Sequence, residues 1–588
     1  MKKIINDPSK VVTQMLQGLA EANPDVVYLG EGVEVIARRE KRRGKVGVIS
    51  GGGSGHEPAH AGYVGAGMLD AAVAGNVFAS PSPDRILEGI KAADSGAGVL
   101  MVIKNYSGDV MNFTMAGEIA AANGIGTDYV IVKDDVAVED STYSTGRRGI
   151  AGTVFVHKVA GAAAEMGKSL AQVKEIAERA IANIRTMGMA MTPCILPGVG
   201  KPGFSLAEDE VEIGMGIHGE PGIHREKITS AKEIAQTLLG KIFADTDIYD
   251  AGDVAVMVNG LGGTPLMELY ILNNEVQRIL AERGIRCYKA FVGNYMTSLE
   301  MAGASVTLFK LDDELRGYLD YPSAAPAFQV SGEAVAFAPA PAEAPASAVT
   351  APARQGADAP EEQRACEAEE DLSGGVRITS EDYVAYIARA ARRIHDSGDY
   401  ISALDAATGD GDHWANINMG FENLVAASEE MRAMPICDVF QKIGTLMMSK
   451  IGGSSGILYG GAYMAASRAV AGKRALSSRD LCAAMEAMVT DMMARGKAQP
   501  GMKTMIDALY PAVEAYKACL KDGVDDRQTF ATVKQAAVEG AQATRDMEAV
   551  KGRASYQTNK GVGHLDPGAV TMSYQIECLC DYICEKLV

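Results

Sequence analysis

The stretch KVGVISGGGSGH, residues 45–56, begins as a β-branched run and ends in clustered glycines followed by a histidine. Residues 45–50 read as a strand apolar on both faces, and the glycines after it admit close backbone approach and positive φ. It is no P-loop, because the Gly-Lys-Ser/Thr ending is missing. Composition alone serves a ligand-free turn as well as a site. The titratable His56, on a loop at the carboxyl end of a strand where α/β sheets bind ligands, favours the site.

Outward from this strand, the runs AGVLMVIKN (97–105), DYVIVKDD (128–135), AVMVNGLG (255–262) and SVTLFKL (305–311) alternate with helical stretches such as FTMAGEIAAANG and PLMELYILNNEVQRILAERG. That alternation predicts α/β layers in two lobes over residues 1–322. Residues 376–588 show no convincing strand. They carry stretches of about twenty residues with apolar positions at i, i+3 and i+4, among them RITSEDYVAYIARAARRIHD and SRDLCAAMEAMVTDMMARG, which predict an all-α unit. Between the two, Ser323–Gly375 holds 17 Ala, 6 Pro, nine acids and two Arg in 53 residues. It reads as an acidic, semi-stiff tether of ~40 Å end to end, with a surface helix open to its EEQRACEAEED portion.

At 588 residues the chain is too long for one core. With 47% hydrophobic and 22% charged residues it is globular in composition. A net charge of −19 argues against nucleic acid or anionic membrane as partners. No apolar run is long enough to span a membrane, and MKKIINDPSK lacks the apolar core of an export signal, so a cytoplasmic protein is expected. The nine cysteines are sparse; Cys578, Cys580 and Cys584 fall in a helical pattern at spacings unlike a zinc knuckle and read as reduced thiols.

Five further places could carry chemistry. Gly214-Met215-Gly216-Ile217-His218-Gly219 matches a dinucleotide fingerprint literally, but Glu220-Pro221-Gly222 follows where a helix must open. What remains is His218 in a glycine-bounded loop with Glu220 nearby, either structural or functional. In LDAATGDGDHWANINMGF, Asp405, Asp410 and Asp412 would repel unless protonated or bridged by a cation. The spacing fails the calcium-loop pattern, and oxygen-only ligands suit Mg²⁺; solvent-facing cap acids are the alternative. Gly452-Gly453-Ser454-Ser455-Gly456 opening a helix, Lys503-Thr504-Met505, and the turn Asp566-Pro567-Gly568 complete a candidate nucleotide–Mg²⁺ site in the helical half.

These motifs resemble the fused dihydroxyacetone kinases, also called glycerone kinases. GGGSGHEPAHAGYVG, GNVFASPSPDRI, KNYSGDVMNF, GMGIHGEPG and TSLEMAGAS are similar to the family's ketose-binding domain; LDAATGDGDH, GGSSGILYG, the KTM segment and GVGHLDPGA to its nucleotide-binding domain. The resemblance covers all but the tether. It implies a two-lobed α/β ketose domain (1–322), the linker (323–375), and an eight-helix barrel (376–588) with the nucleotide at its open end. It implies a kinase using ATP and two Mg²⁺ ions, in a homodimer. His218 would bond covalently to the substrate carbonyl as a hemiaminal, with Gly53, Ser54, Gly55, His56, Lys104 and Asp109 around the ketose. His56 and Asp109 are the implied acid/base pair, Asp109 the favoured acceptor of the attacking hydroxyl's proton. Asp405, Asp410 and Asp412 would bind metal. His413, Trp414, Ala415, Asn416, Ser454, Ser455, Gly496, Thr504, Met505, Arg553, Asp566, Pro567 and Gly568 would surround the nucleotide.

Two positions depart from the family pattern: Trp414 stands where a small residue is usual, and Met502 where Asp usually precedes Lys-Thr-Met. The preferred ketose among dihydroxyacetone, glyceraldehyde and erythrulose stays open. So do three other activities: a cyclising FAD-AMP lyase, a phosphotransferase-system relay using bound ADP, and a non-catalytic sugar sensor.

Overall fold

The computed structural model describes the chain except residues 1, 139–145, 199–201, 221, 247–248, 250–251, 334–374, 410–412, 452, 552, 557–558 and 588. The α/β half holds two six-stranded sheets. Strands β1 (Val27–Leu29), β2 (Val35–Arg38), β3 (Gly47–Ser54), β4 (Ala71–Val77), β5 (Val99–Lys104) and β6 (Thr127–Val132) form the first, in the order β1-β2-β4-β3-β5-β6. Strands β7 (Ile184–Ala190), β8 (Glu210–Ile213), β9 (His224–Lys227), β10 (Gly252–Gly260), β11 (Ile285–Gly293) and β12 (Gly303–Leu311) form the second, in the order β11-β10-β12-β7-β8-β9. The first is parallel from β4 through β6; the second is antiparallel except for the β10–β11 pair.

The continuous apolar runs have a packing reason. All six residues of β5 are buried, Val99, Met101 and Ile103 in one cluster and Leu100 and Val102 in another. In β10, Val254, Val256 and Val258 face one core while Ala255 and Met257 enter the core that β5 also feeds. A strand covered on both faces cannot alternate polar with apolar.

Two boundaries differ from the sequence reading. Residues 51–54 are not a loop after the strand but its continuation, since β3 runs to Ser54. The tether's expected start at Ser323 is also too early. Ser323–Ala325 and Phe328–Val330 form an antiparallel hairpin, and the Phe328 ring stacks on Phe291 at 5.1 Å. An average over 53 residues hid one short hairpin with a buried aromatic anchor. The rest of the expected linker, 334–374, lies outside the described residues.

The second half is helical. Among the described residues it has ten α-helices, eight of them 14 residues or longer, as an eight-helix bundle requires. Capping boxes start two of them: Thr379 with Asp382 at Ser380–Asp396, and Ser477 with Asp480 at Ser478–Gly496. The expectation of no strand misses one two-residue pairing, Ile378–Thr379 with Ala475–Leu476. The halves meet where helix Ser107–Ala122 packs on helix Gly453–Ala469.

Candidate functional site

His218 lies on the loop that joins β8 to its antiparallel partner β9, so no helix follows the glycines and the dinucleotide reading is excluded by topology. Glu220 clamps it twice. Its Oε1 accepts from His218 Nδ1 at 2.8 Å and its Oε2 from the His218 backbone N–H at 3.0 Å. A carboxylate opposite Nδ1 keeps the proton there and leaves Nε2 as the nucleophilic nitrogen. Gly216 makes room for the clamp, because a Cβ there would stand 2.0 Å from Glu220 Oε2 and 2.6 Å from Arg148 Nη1. Arg148 is buried, donating to Asp135 and the Gly214 carbonyl, both at 2.8 Å.

Three rings box in the His218 imidazole edge-on: Tyr106 at 4.6 Å, His56 at 4.7 Å and Phe78 at 5.3 Å. His56 is fully buried and its Nδ1 donates to the Thr297 carbonyl at 2.8 Å, which makes Nε2 an acceptor. Burial, reinforced by the charges of Lys104 and His218, holds its pKa well below the ordinary 6.5, so the ring is neutral at pH 7. Phe78, at φ +60°, is held in the left-handed region by its N–H on the Ser54 carbonyl. Its backbone leaves no room for a Cβ on Gly53, which would fall 2.6 Å away. Lys104 ends β5, and its Nζ and Asp109 Oδ2 both close on Gly52, 3.2 and 3.3 Å from where a Cβ would stand. Burial lowers the Lys104 pKa against the opposing pull of Asp109 and Glu220.

The helical half contributes its own wall. Asp405 Oδ2 accepts from the His413 backbone N–H at 2.9 Å and so ties helix Gly398–Thr408 to the start of His413–Ala426. Asp507 receives the N–H groups of Gly501 and Thr504 and shapes the Lys503-Thr504-Met505 loop. Asp566 caps helix Pro567–Lys586 through the Ala569 N–H at 2.7 Å. Burial pushes the Asp566 carboxyl up to about 7, with Asp507 and Asp405 adding to the rise. Lys503, whose charge opposes that rise, donates to the carbonyls of Thr544 and His564. Three acidic side chains facing the single charge of Lys503 leave an excess of negative charge that suits a hard divalent cation. Among the described residues no three His, Cys, Asp or Glu side chains converge as a metal site, and the expected ligands Asp410 and Asp412 lie outside them.

One cavity of about 270 Å³ unites the two walls. Gly53, Asp109 and His218 line it from the α/β half; Asp405, His413, Asn416, Ser454, Ser455, Gly496, Thr504, Met505, Asp566, Pro567 and Gly568 line it from the helical half. Five helices starting at Ser107, His413, Gly453, Ile506 and Pro567 bring residues of their first turns to it. Their unsatisfied N–H groups and positive dipole ends make it a place for anions, phosphates above all.

Ser54, Gly55, His56 and Lys104 sit behind the wall rather than in it. Trp414 and Ala415 do not reach the cavity: the Trp414 indole turns to the far side, donating to the Ile394 carbonyl at 3.1 Å. Met502 packs on the helical core. Of Arg553 only the backbone, in a short 3₁₀ turn, is described. Phe78 and Tyr106 belong to the site without having been singled out from sequence as site residues, whereas Lys503, expected there with Thr504 and Met505, lines the cavity. Aromatic side chains are ordinary core residues until the fold brings them together.

The chain matches the Dak1 domain over residues 17–327 and the DAK2 domain over 407–581. It is 57% identical over 314 residues to the dihydroxyacetone-binding subunit DhaK of a PTS-dependent dihydroxyacetone kinase of Listeria innocua, covering 53% of this chain and 95% of that one. It is 35% identical to the human triokinase/FMN cyclase over 99% of both chains. Among solved structures, the dihydroxyacetone kinase from C. freundii in complex with AMP-PNP and Mg²⁺ aligns over 99% of both chains at 28% identity and a TM-score of 0.51.

Proposed function

Because the chain belongs to the kinase family that joins a Dak1 and a DAK2 domain in one polypeptide, we propose that it transfers the γ-phosphoryl group of Mg-ATP to a hydroxyl of dihydroxyacetone or a related short ketose or triose. The acceptor is held as a covalent hemiaminal on His218, and the products are dihydroxyacetone phosphate and ADP. The observation that carries this reading is the single cavity lined by His218 and Asp109 on one side and by Asp405, Ser454, Ser455 and Asp566 on the other.

With Nδ1–H on Glu220, His218 Nε2 offers its lone pair to the substrate carbonyl carbon. The carbonyl oxygen takes up a proton from water while Nδ1 passes one to Glu220 and on to solvent, so protons balance and the adduct is neutral and reversible. Glycerol has no carbonyl and is refused. A tethered acceptor has surrendered much of its translational and rotational freedom before transfer. Asp109, in the first turn of helix Ser107–Ala122, accepts the proton of the attacking hydroxyl as its bond to phosphorus forms. His56, behind the wall, fixes the His218 ring edge and is a hydrogen-bond acceptor at Nε2. The helix starts at Gly453 and Pro567 hold the nucleotide's phosphates. Asp405, with Asp410 and Asp412, would hold Mg²⁺, two ions on the family pattern, which when bound neutralises phosphate charge.

A cyclising FAD-AMP lyase activity in the same cavity is the second reading, favoured by the double name of the human relative. The phosphotransferase relay is the weaker one, since the relative so named matches only the α/β half whereas this chain carries its own DAK2 domain. His218, Asp109 and Asp405 in one cavity argue against a mere sensor. The test is ADP release in a coupled assay with dihydroxyacetone, glyceraldehyde and erythrulose, with glycerol as control. Release with at least one carbonyl substrate and none with glycerol is expected; equal release with glycerol contradicts the tethered acceptor.

A further inference from the structure

A second cavity, of about 380 Å³, lies across strand β3 from the first, and Gly53 belongs to both walls. Its lining is largely apolar. Met15, Leu16 and Leu19 close it from helix Val11–Ala22, and Ala72 and Ala74 of β4 form its floor. Three polar side chains break this pattern, and two are already satisfied: the Ser54 hydroxyl donates to the Gly75 carbonyl at 2.8 Å, and Glu57 accepts a backbone N–H. His60 lines the cavity at 6% exposure, and neither of its ring nitrogens has a hydrogen-bond partner among the described residues.

A buried polar group without a partner costs free energy that an apolar side chain of the same shape would not. His60 therefore has no packing rationale. Its neighbour cannot supply a partner: His157, edge-on at 5.2 Å, also has both nitrogens unmatched, and burial lowers its pKa to about 3. Burial, with the nearby charge of Lys104, likewise keeps His60 neutral. A neutral imidazole presents one donor and one acceptor, the complement of a hydroxyl group. Among the described residues, Glu57 is the one carboxylate of the lining and already accepts the Gly55 N–H at 3.0 Å, and no cationic side chain lines the cavity to pair with an anion.

We propose that this second cavity binds a small uncharged aliphatic molecule bearing a hydroxyl, with the hydroxyl on His60 and the chain between helix Val11–Ala22 and Ala72. By proportion to a cavity of about 150 Å³ that holds benzene, it has room for roughly 15 non-hydrogen atoms. Such a ligand lies against the backbone of Gly53, whose other face belongs to the phosphoryl-transfer cavity.

The test uses 1-hexanol on the full chain with dihydroxyacetone saturating, so that the first cavity is occupied. Calorimetry is expected to give one hexanol site per chain, and a soaked crystal to place its oxygen within hydrogen-bond distance of His60. His60→Phe removes the polar match at similar shape and weakens binding about tenfold. Ala72→Leu fills the cavity and does the same; Leu19→Trp, entering from the helix, replaces it if that variant does not fold. Affinity unchanged in His60→Phe or in the filled variant, no binding up to the solubility of hexanol, or a soaked crystal showing ordered water alone at His60 overturns the assignment.

Discussion

Replacing Glu220 by Gln tests the chemistry of His218 without touching the substrate. The carboxylate accepts both His218 Nδ1–H and the His218 backbone N–H. Gln keeps the shape but can accept only one of the two. If its amide NH₂ faces Nδ1, that nitrogen becomes the acceptor and the proton moves to Nε2, which then has no lone pair to attack a carbonyl. If the amide is turned the other way, the backbone N–H faces a donor. Either way a hydrogen bond to a charged group is lost, about 1.5–3 kcal/mol, or roughly 10- to 150-fold in the equilibrium constant of the adduct. Arg148, which packs beside Glu220 at Gly216, keeps its ion pair with Asp135 at 2.7 Å, so the fold is expected to survive. The assay is native mass spectrometry of the full chain titrated with dihydroxyacetone, the adducted fraction giving the constant. Adduct formation within threefold of the parent, in a variant with unchanged unfolding midpoint, would refute the role given to Glu220.

Asp405→Asn is expected to weaken Mg-nucleotide binding at least tenfold in calorimetry while the ketose adduct forms as in the parent; equal nucleotide affinity removes Asp405 from the site. Gly53→Val puts side-chain atoms against the Phe78 backbone, 2.6 Å from the Cβ position, and is expected to cost about 1–3 kcal/mol in urea unfolding and to abolish the adduct. A fully active Gly53→Val protein speaks against close approach at this strand. Lys158 is fully buried, with Nζ on the Tyr318 carbonyl at 2.8 Å, and burial lowers its pKa to about 7. Between pH 7 and the ordinary lysine value the unfolded chain binds the extra proton, so this group's contribution to stability rises with pH in that window and its charging penalty is fully present below it. From pH 7 to pH 9 the parent should gain on Lys158→Met by about 1–3 kcal/mol in urea unfolding; a difference that is flat with pH would mean that Lys158 is charged in the folded protein.

Much of the division into halves was legible because period is a local property. The stretch 478–496, read as one helix, is one helix to the residue, and the five strand runs all lie in the two sheets. The loop carrying His218 could be separated from a dinucleotide motif by its Glu-Pro-Gly alone. Other features depend on tertiary neighbours. That glycines 51–53 continue a strand follows from their parallel pairing with Val73, Ala74 and Gly75 of β4, where the Val73 and Phe78 backbones leave no room for a Cβ at Gly51 or Gly53, and no local pattern records that. Trp414 lies one residue from His413 in sequence, yet helical geometry turns the two apart, His413 to the cavity and Trp414 to the Ile394 carbonyl. The hairpin at 323–330 was lost in its Ala-Pro surroundings because a single buried Phe328 barely moves an average.

The central claim is that His218 holds the ketose that receives the phosphoryl group. Native mass spectrometry of the parent and of His218→Ala, each with dihydroxyacetone, and then with Mg-ATP added while product is followed by phosphorus NMR, tests both parts of it together. The account predicts a reversible adduct of one dihydroxyacetone on the parent, with dihydroxyacetone phosphate appearing once Mg-ATP is present. It predicts neither adduct nor product from a folded His218→Ala protein. An adduct that persists in His218→Ala, or product formed by that variant at the parent's rate, contradicts it.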